Sequence, residues 1–101
     1  MTRKLKRLDP IHPGETLAEE FMTPMGISIN RLARELSVPP GRISAIVNGK
    51  RAITADTALR LGIFFGVSPE IWVGLQADYD LRIAERSSGE EIAKRVRPHV
   101  A

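Results

Sequence analysis

Apolar positions in this chain recur at helical spacing in five stretches, each closed by residues that stop helices. Pro13-Gly14 opens the first, where Leu17, Ala18, Phe21 and Met22 share a stripe until Thr23-Pro24-Met25-Gly26 ends it. Ser28 is an N-cap residue ahead of Ile29, Leu32, Ala33 and Leu36, which follow the i, i+3, i+4, i+7 pattern. After a short turn at 37–39, a third stretch begins with Pro40 in a first-turn position, carries Ile43, Ile46 and Val47, and ends at Asn48-Gly49. Thr54 caps a fourth, in which Ala55, Ala58, Leu59 and Gly62 are expected to face inward before Gly66 stops it. Ser68-Pro69-Glu70 starts a fifth, running through Trp72, Leu75, Tyr79 and Ile83 towards Arg86, where Ser87-Ser88-Gly89 is expected to break it. No stretch alternates with a period of two, and there is no repeat or low-complexity tract. The pattern predicts an all-α fold: a compact five-helix domain at 12–86, a basic arm at 1–11 and a charged tail at 87–101.

With 101 residues the chain can surround one hydrophobic core. An apolar fraction of 43% excludes a disordered chain, and 27% charged residues argue for a soluble surface. Cysteine is absent, which excludes a disulfide scaffold, a thiol nucleophile and a cysteine-based zinc site. Arg3, Lys4, Lys6 and Arg7 are not followed by an apolar stretch, and no run is long enough to span a bilayer, so a cytoplasmic protein with no membrane partner is expected. Charge adds a sharper clue than its net value of +3. Residues 28–51 carry five basic and one acidic residue, between 12–27 with three acidic and none basic and 52–81 with four acidic and one basic. A compact cationic segment flanked by acidic ones is the footprint of a phosphate-binding face, although a solvated helix surface gives the same tally. The charge pattern needs a motif.

That motif lies in the same segment. Two amphipathic helices of about eight residues joined by a three-residue turn have the dimensions of a helix-turn-helix. Ala33 falls where the two helices must cross closely, and a larger side chain there would push them apart. With Ile43, Ile46 and Val47 turned inward, Gly41, Ser44, Ala45 and Asn48 fall on the outer face of the second helix and Arg42 on its flank. In a major groove the N-terminal half of such a helix meets the base edges. Pro40, Gly41 and Ala45 would permit close approach, Ala45 touching a thymine methyl group, while Ser44 hydrogen-bonds at short range and Arg42 reaches guanine or a phosphate. Sequence reading is therefore expected to be modest, with DNA shape contributing a larger share. Ser28 and Asn30 at one helix N-terminus, and Thr54 at another, offer free amides to an anion. Lys50 and Arg51 follow the reading helix directly, which favours phosphate contact over ordinary loop charge.

An enzyme is not expected. His12 and His99 lie near opposite ends of the chain, no nucleophile is paired with a base, and the carboxylates are scattered over polar faces. Two isolated histidines do not assemble a metal site, and no cofactor motif is present.

Residues 12–82 resemble the HigA-type antitoxin family, a branch of the Cro/lambda-repressor-like helix-turn-helix proteins. The resemblance is carried by HPGE at 12–15, by RAITADTALRL at 51–61 and above all by SPEIWVGLQADYDL at 68–81. It implies a lambda-repressor-like domain in which 39–48 hold the recognition helix and the fifth helix makes the dimer contact. It also implies an antidote to a small mRNA-cleaving toxin of the HigB/RelE type, which binds that toxin and represses the shared operon as a dimer. Two positions depart from the family pattern. Ser37 occupies a turn position where glycine is frequent, and Pro40-Gly41 and Ala45 stand where longer polar side chains are common.

The fifth helix carries more apolar surface than a small four-helix core needs. Trp72 and Leu75 are expected inside, while Tyr79, Leu81 and Ile83 lie on different azimuths, so at least one is left for a twofold partner. A homodimer would set two recognition helices about 34 Å apart on operator DNA. For the toxin, the acidic face of Glu15, Glu19 and Glu20 offers charge complementary to a ribosome-targeting nuclease, with the basic arm and the tail from Ser87 as other candidates. A stand-alone repressor without a toxin, and an interaction module that has lost DNA binding, are the competing readings.

Overall fold

In the computed structural model, which describes residues 9–100, five helical segments pack around one core and no strand occurs among the described residues. Helix α1 occupies 13–25, α2 Ile29–Leu36, α3 Pro40–Val47, α4 Ala55–Phe65 and α5 Pro69–Arg95. Arg3, Lys4, Lys6 and Arg7 of the basic arm lie outside the described residues.

Local chemistry explains each boundary. His12 caps α1 with its ring nitrogen, Ser28 caps α2, Thr54 caps α4 and Ser68 caps α5, each accepting a backbone N–H of the first turn. Helix α1 is not uniform: Leu17–Met22 is wound as a π-helix, with the Thr23 N–H reaching back to Ala18. Pro24 follows, and its ring offers no N–H and crowds the preceding turn, so the wider winding accommodates it. Helix α2 ends at Ser37, which has φ 58° and is the only residue other than glycine with positive φ among the described residues. A serine thus stands in the left-handed conformation that favours glycine, and its backbone is strained there.

Leu17, Leu32, Ala33, Ile43, Ile46, Leu61 and Trp72 are completely buried and form the centre. Phe21 bridges the Trp72 and Phe65 rings at 5.0 and 4.9 Å, inside the range where aromatic pairs attract. Ala33 on the inward face of α2 and Trp72 in the core are both completely buried, as the sequence pattern predicts.

Two expectations fail. Helix α4 buries Thr57, Ala58, Leu61 and Gly62, whereas Ala55 and Leu59 are exposed, so its inward face is rotated from the one read off the pattern. Helix α5 does not break at Ser87-Ser88-Gly89 but continues to Arg95. The Ser87 hydroxyl bonds back to the Ile83 carbonyl at 3.0 Å, and the Arg82–Asp78 and Arg95–Glu91 pairs brace the turns on either side. The helix stops shortly before Pro98, where the chain can no longer hold helical geometry. Among the described residues, no helix is long and apolar enough to cross a membrane.

Candidate nucleic-acid interface

The first turns of α2 and α3 open side by side onto a shallow surface groove lined by Ser28, Ile29, Asn30, Pro40, Gly41 and Ser44. Five of the residues singled out from sequence are thus brought together. The Ser28 hydroxyl accepts the Arg31 N–H at 3.1 Å, and Asn30 is exposed beside it. A Cβ built on Gly41 would meet nothing within 4 Å, so the absence of a side chain there serves nothing inside the chain. Ser44 at the groove's edge is half-buried, as is Ala45, which does not line the groove.

Other candidates sit differently. The Asn48 amide turns back on its own helix and donates to the Ser44 carbonyl at 2.9 Å. Arg42 does not extend freely from the flank of α3: its Nη1 lies 2.8 Å from Asp56 Oδ2 in the first turn of α4. Arg60 grips the same carboxylate, with Nε 3.0 Å from Oδ2 and Nη2 3.4 Å from Oδ1. Its Nη1 also donates to the Leu36 and Ser37 carbonyls at 2.9 and 3.3 Å, closing the end of α2. Hydrogen bonds from Arg60 and then Arg42 hold the Asp56 carboxyl below the usual carboxylate range.

Lys50 and Arg51 are exposed on the loop after α3. Gln76 of α5 anchors this loop: its Oε1 accepts the buried Ile53 N–H at 2.8 Å and its Nε2 donates to Asp80 at 2.9 Å. Thr54 ends the loop, its hydroxyl accepting the Thr57 N–H at 3.4 Å. Cations, loop and helix end therefore lie on a fixed frame.

The HPGE segment supplies the remaining support. A Cβ on Gly14 would stand 1.7 Å from the Ile46 carbonyl oxygen, so the start of α1 presses directly on the last turn of α3. His12 Nδ1 accepts the Gly14 N–H at 2.9 Å, and its ring meets Tyr79 edge-on at 4.9 Å. Burial pushes the His12 pKa below its ordinary value of 6.5, against the opposing charge of Asp80. Sequence reasoning did not find these supporting roles of Asp56, Arg60, Gln76, His12 and Gly14. Gln76, polar among the apolar positions of α5, was the one visible signal.

The dimer candidates separate. Tyr79 and Ile83 continue the face of α5 that carries Trp72 and Gln76, whereas Leu81 lies on the opposite side with Val73, Ala77, Ala84 and Ser88, all exposed. Leu81 is 56% exposed and Ile83 39%, while Tyr79 is half-buried against His12. Of the acidic candidates on α1, Glu15 and Glu19 are partly buried and Glu20 is exposed. Among the described residues no group of three or more His, Asp or Glu side chains could hold a metal ion.

Residues 19–72 match the helix-turn-helix family model. Antitoxin HigA-1 of Vibrio cholerae is 38% identical over 96 residues, which cover 95% of this chain and 89% of that protein. An addiction-module antidote protein of the HigA family from Coxiella burnetii superposes with a TM-score of 0.87 at 52% identity, over 91% of this chain and all of its own. The Pseudomonas aeruginosa antitoxin HigA, solved with the higBA promoter, superposes with a TM-score of 0.88 at 41% identity, over 90% of this chain and 99% of its own.

Proposed function

This chain belongs to the HigA-type antitoxins of the Cro/lambda-repressor-like helix-turn-helix family, a non-enzymatic family of DNA-binding regulators, and from that premise we propose that it binds operator DNA as a homodimer and represses its own operon. The observation that carries the proposal is the open groove between the N-termini of α2 and α3, with Gly41 bare, Ser44 at its edge and Lys50 and Arg51 exposed beyond it. Helix N-termini and cations hold the phosphates, and the small residues let α3 sit deep against the base edges. The Pseudomonas relative, solved with its promoter, supports DNA binding by a chain of this fold.

The second half of the proposal is neutralisation of a HigB/RelE-type mRNA-cleaving toxin through direct binding. Glu15, Glu19 and Glu20 give α1 the charge that a basic nuclease would seek, on a helix distinct from α3. Both activities place the protein in the cytoplasm. Dimerisation uses α5, where Leu81 stands on an exposed face clear of the core.

Fluorescence anisotropy with duplex DNA from upstream of the protein's own reading frame tests the first half. Co-purification with the product of the adjacent reading frame tests the second. Binding to that DNA with no co-purifying partner would leave a stand-alone repressor, and failure to bind it while a partner co-purifies would leave a pure interaction module.

A further inference from the structure

We propose that Asp56 is a positioning residue for DNA recognition: from the first turn of α4 it fixes the Arg42 guanidinium at the leading end of α3, and discrimination between DNA sequences depends on that placement. The inference rests on reading α2–α3 as the DNA-binding unit. Arg42 is the one cationic side chain on α3, and it sits in the first turn, the part of a recognition helix that meets base edges. An unrestrained arginine at that position would sample many rotamers and favour any phosphate within reach. Here Nη1 is bonded to Asp56 at 2.8 Å and only 23% of the side chain is exposed. Its Nε is buried and finds no acceptor among the described residues, a donor that a freely chosen rotamer would leave in water. The Asp56 contact therefore sets the placement.

The carboxylate is itself held in place. Arg60 takes both of its oxygens and fastens its own remaining nitrogen to the end of α2. A continuous run of bonds thus leads from the α2 carbonyls through Arg60 and Asp56 to Arg42, so the guanidinium is registered against both helices of the motif. An acidic side chain close to a polyanion weakens general attraction, and one kept at such a place needs a compensating use. Pre-ordering the reading arginine is that use, because a fixed fork recognises one acceptor pair whereas a mobile one accepts many.

These two effects have opposite signs, which makes the hypothesis separable from a purely structural role. The experiment enriches binding sites for the wild-type protein from random duplex DNA. It then compares affinity for the consensus and for a scrambled duplex at one salt concentration. In Asp56→Asn the scrambled duplex should bind more tightly and the consensus more weakly, lowering the ratio about tenfold. Arg42→Ala should lower the ratio similarly, and the double variant no further, because both changes remove one contact. Asp56→Glu should recover most of the discrimination. Arg42→Lys leaves the Asp56–Arg60 pair in place and serves as the second probe should Asp56→Asn fail to fold; it keeps the charge, loses the fork and should lose discrimination. An unchanged ratio in folded Asp56→Asn, or in Arg42→Lys, overturns the proposal, as do additive losses in the double variant. A wild-type protein that enriches no sequence overturns the DNA-binding reading itself.

Discussion

Gly14 has no room for a side chain, because the Ile46 carbonyl lies 1.7 Å from where a Cβ would be. Gly14→Ala must push the start of α1 off the end of α3, a form of overpacking that should destabilise the domain by about 3 kcal/mol, read as a lower urea midpoint at unchanged slope. His12, two residues earlier, uses a neutral Nδ1 to accept the Gly14 N–H, and protonation converts that acceptor into a donor. Its folded pKa lies below the unfolded value, so the unfolded chain takes up the proton first and stability depends on pH with a defined sign. The contribution is complete above pH 6.5, declines as pH falls from there through the folded value, and is absent below it. Urea titrations at stepped pH should show this decline just below 6.5 in the wild type and not in His12→Asn, whose amide can cap at any pH. Ser37 presents the reverse case to Gly14: the left-handed φ of 58° asks for glycine, and Ser37→Gly should raise stability by about 0.5–1 kcal/mol in the same assay. Ser37 was legible because its strain is local to one turn. Gly14 and His12 were not, since their partners Ile46 and Tyr79 are distant in sequence and no single stretch encodes the contact.

Helices whose apolar residues keep to one side were read in the correct phase. In α2 and α3 the buried residues Leu32, Ala33, Leu36, Ile43 and Ile46 are those the spacing selects, because Asn, Arg, Glu, Ser and Gly fill the remaining sides. Helix α4 is apolar on several sides, with Leu59, Leu61, Ile63, Phe64 and Phe65 close together. Its phase is set by packing on α5 rather than by its own pattern, and Thr57 is buried while Leu59 and Ile63 face outward. Ser87-Ser88-Gly89 predicts an end to α5, yet serine and glycine only weaken a helix, and only the approach to Pro98 ends it. One side chain links these elements to the candidate site. Gln76 caps the Ile53 N–H from α5 and so sets the loop that carries Lys50 and Arg51. Gln76→Leu would leave that buried N–H without an acceptor, costing about 1–3 kcal/mol. The loop should loosen first, and amide exchange at Ile53 should accelerate more than exchange in α2.

On the scale of the whole molecule, the placement of charge and the placement of apolar surface serve different partners. The groove between α2 and α3 faces away from the core, while an exposed stripe of α5 runs through Val73, Ala77, Leu81, Ala84 and Ser88, flanked by Asp78 and Glu85. Small residues on either side of Leu81 let a second helix approach closely, and a twofold axis there pairs the face with itself. The sequence indicates that α5 carries surplus apolar surface at differing azimuths; what it does not encode is that the His12 ring covers Tyr79, leaving Leu81 the more exposed candidate. A homodimer doubles the number of phosphates touched, and counterion release makes that doubling measurable. With about eight contacts, log K against log salt should slope near −7 for the wild type. Leu81→Arg sets two like charges against each other across the pair and should yield a folded monomer by light scattering. That monomer, with half the contacts, should bind the same duplex with a slope of about −4. A variant that becomes monomeric yet keeps the steep slope would mean that one protomer makes all the phosphate contacts, and α5 pairing would then have no part in DNA binding.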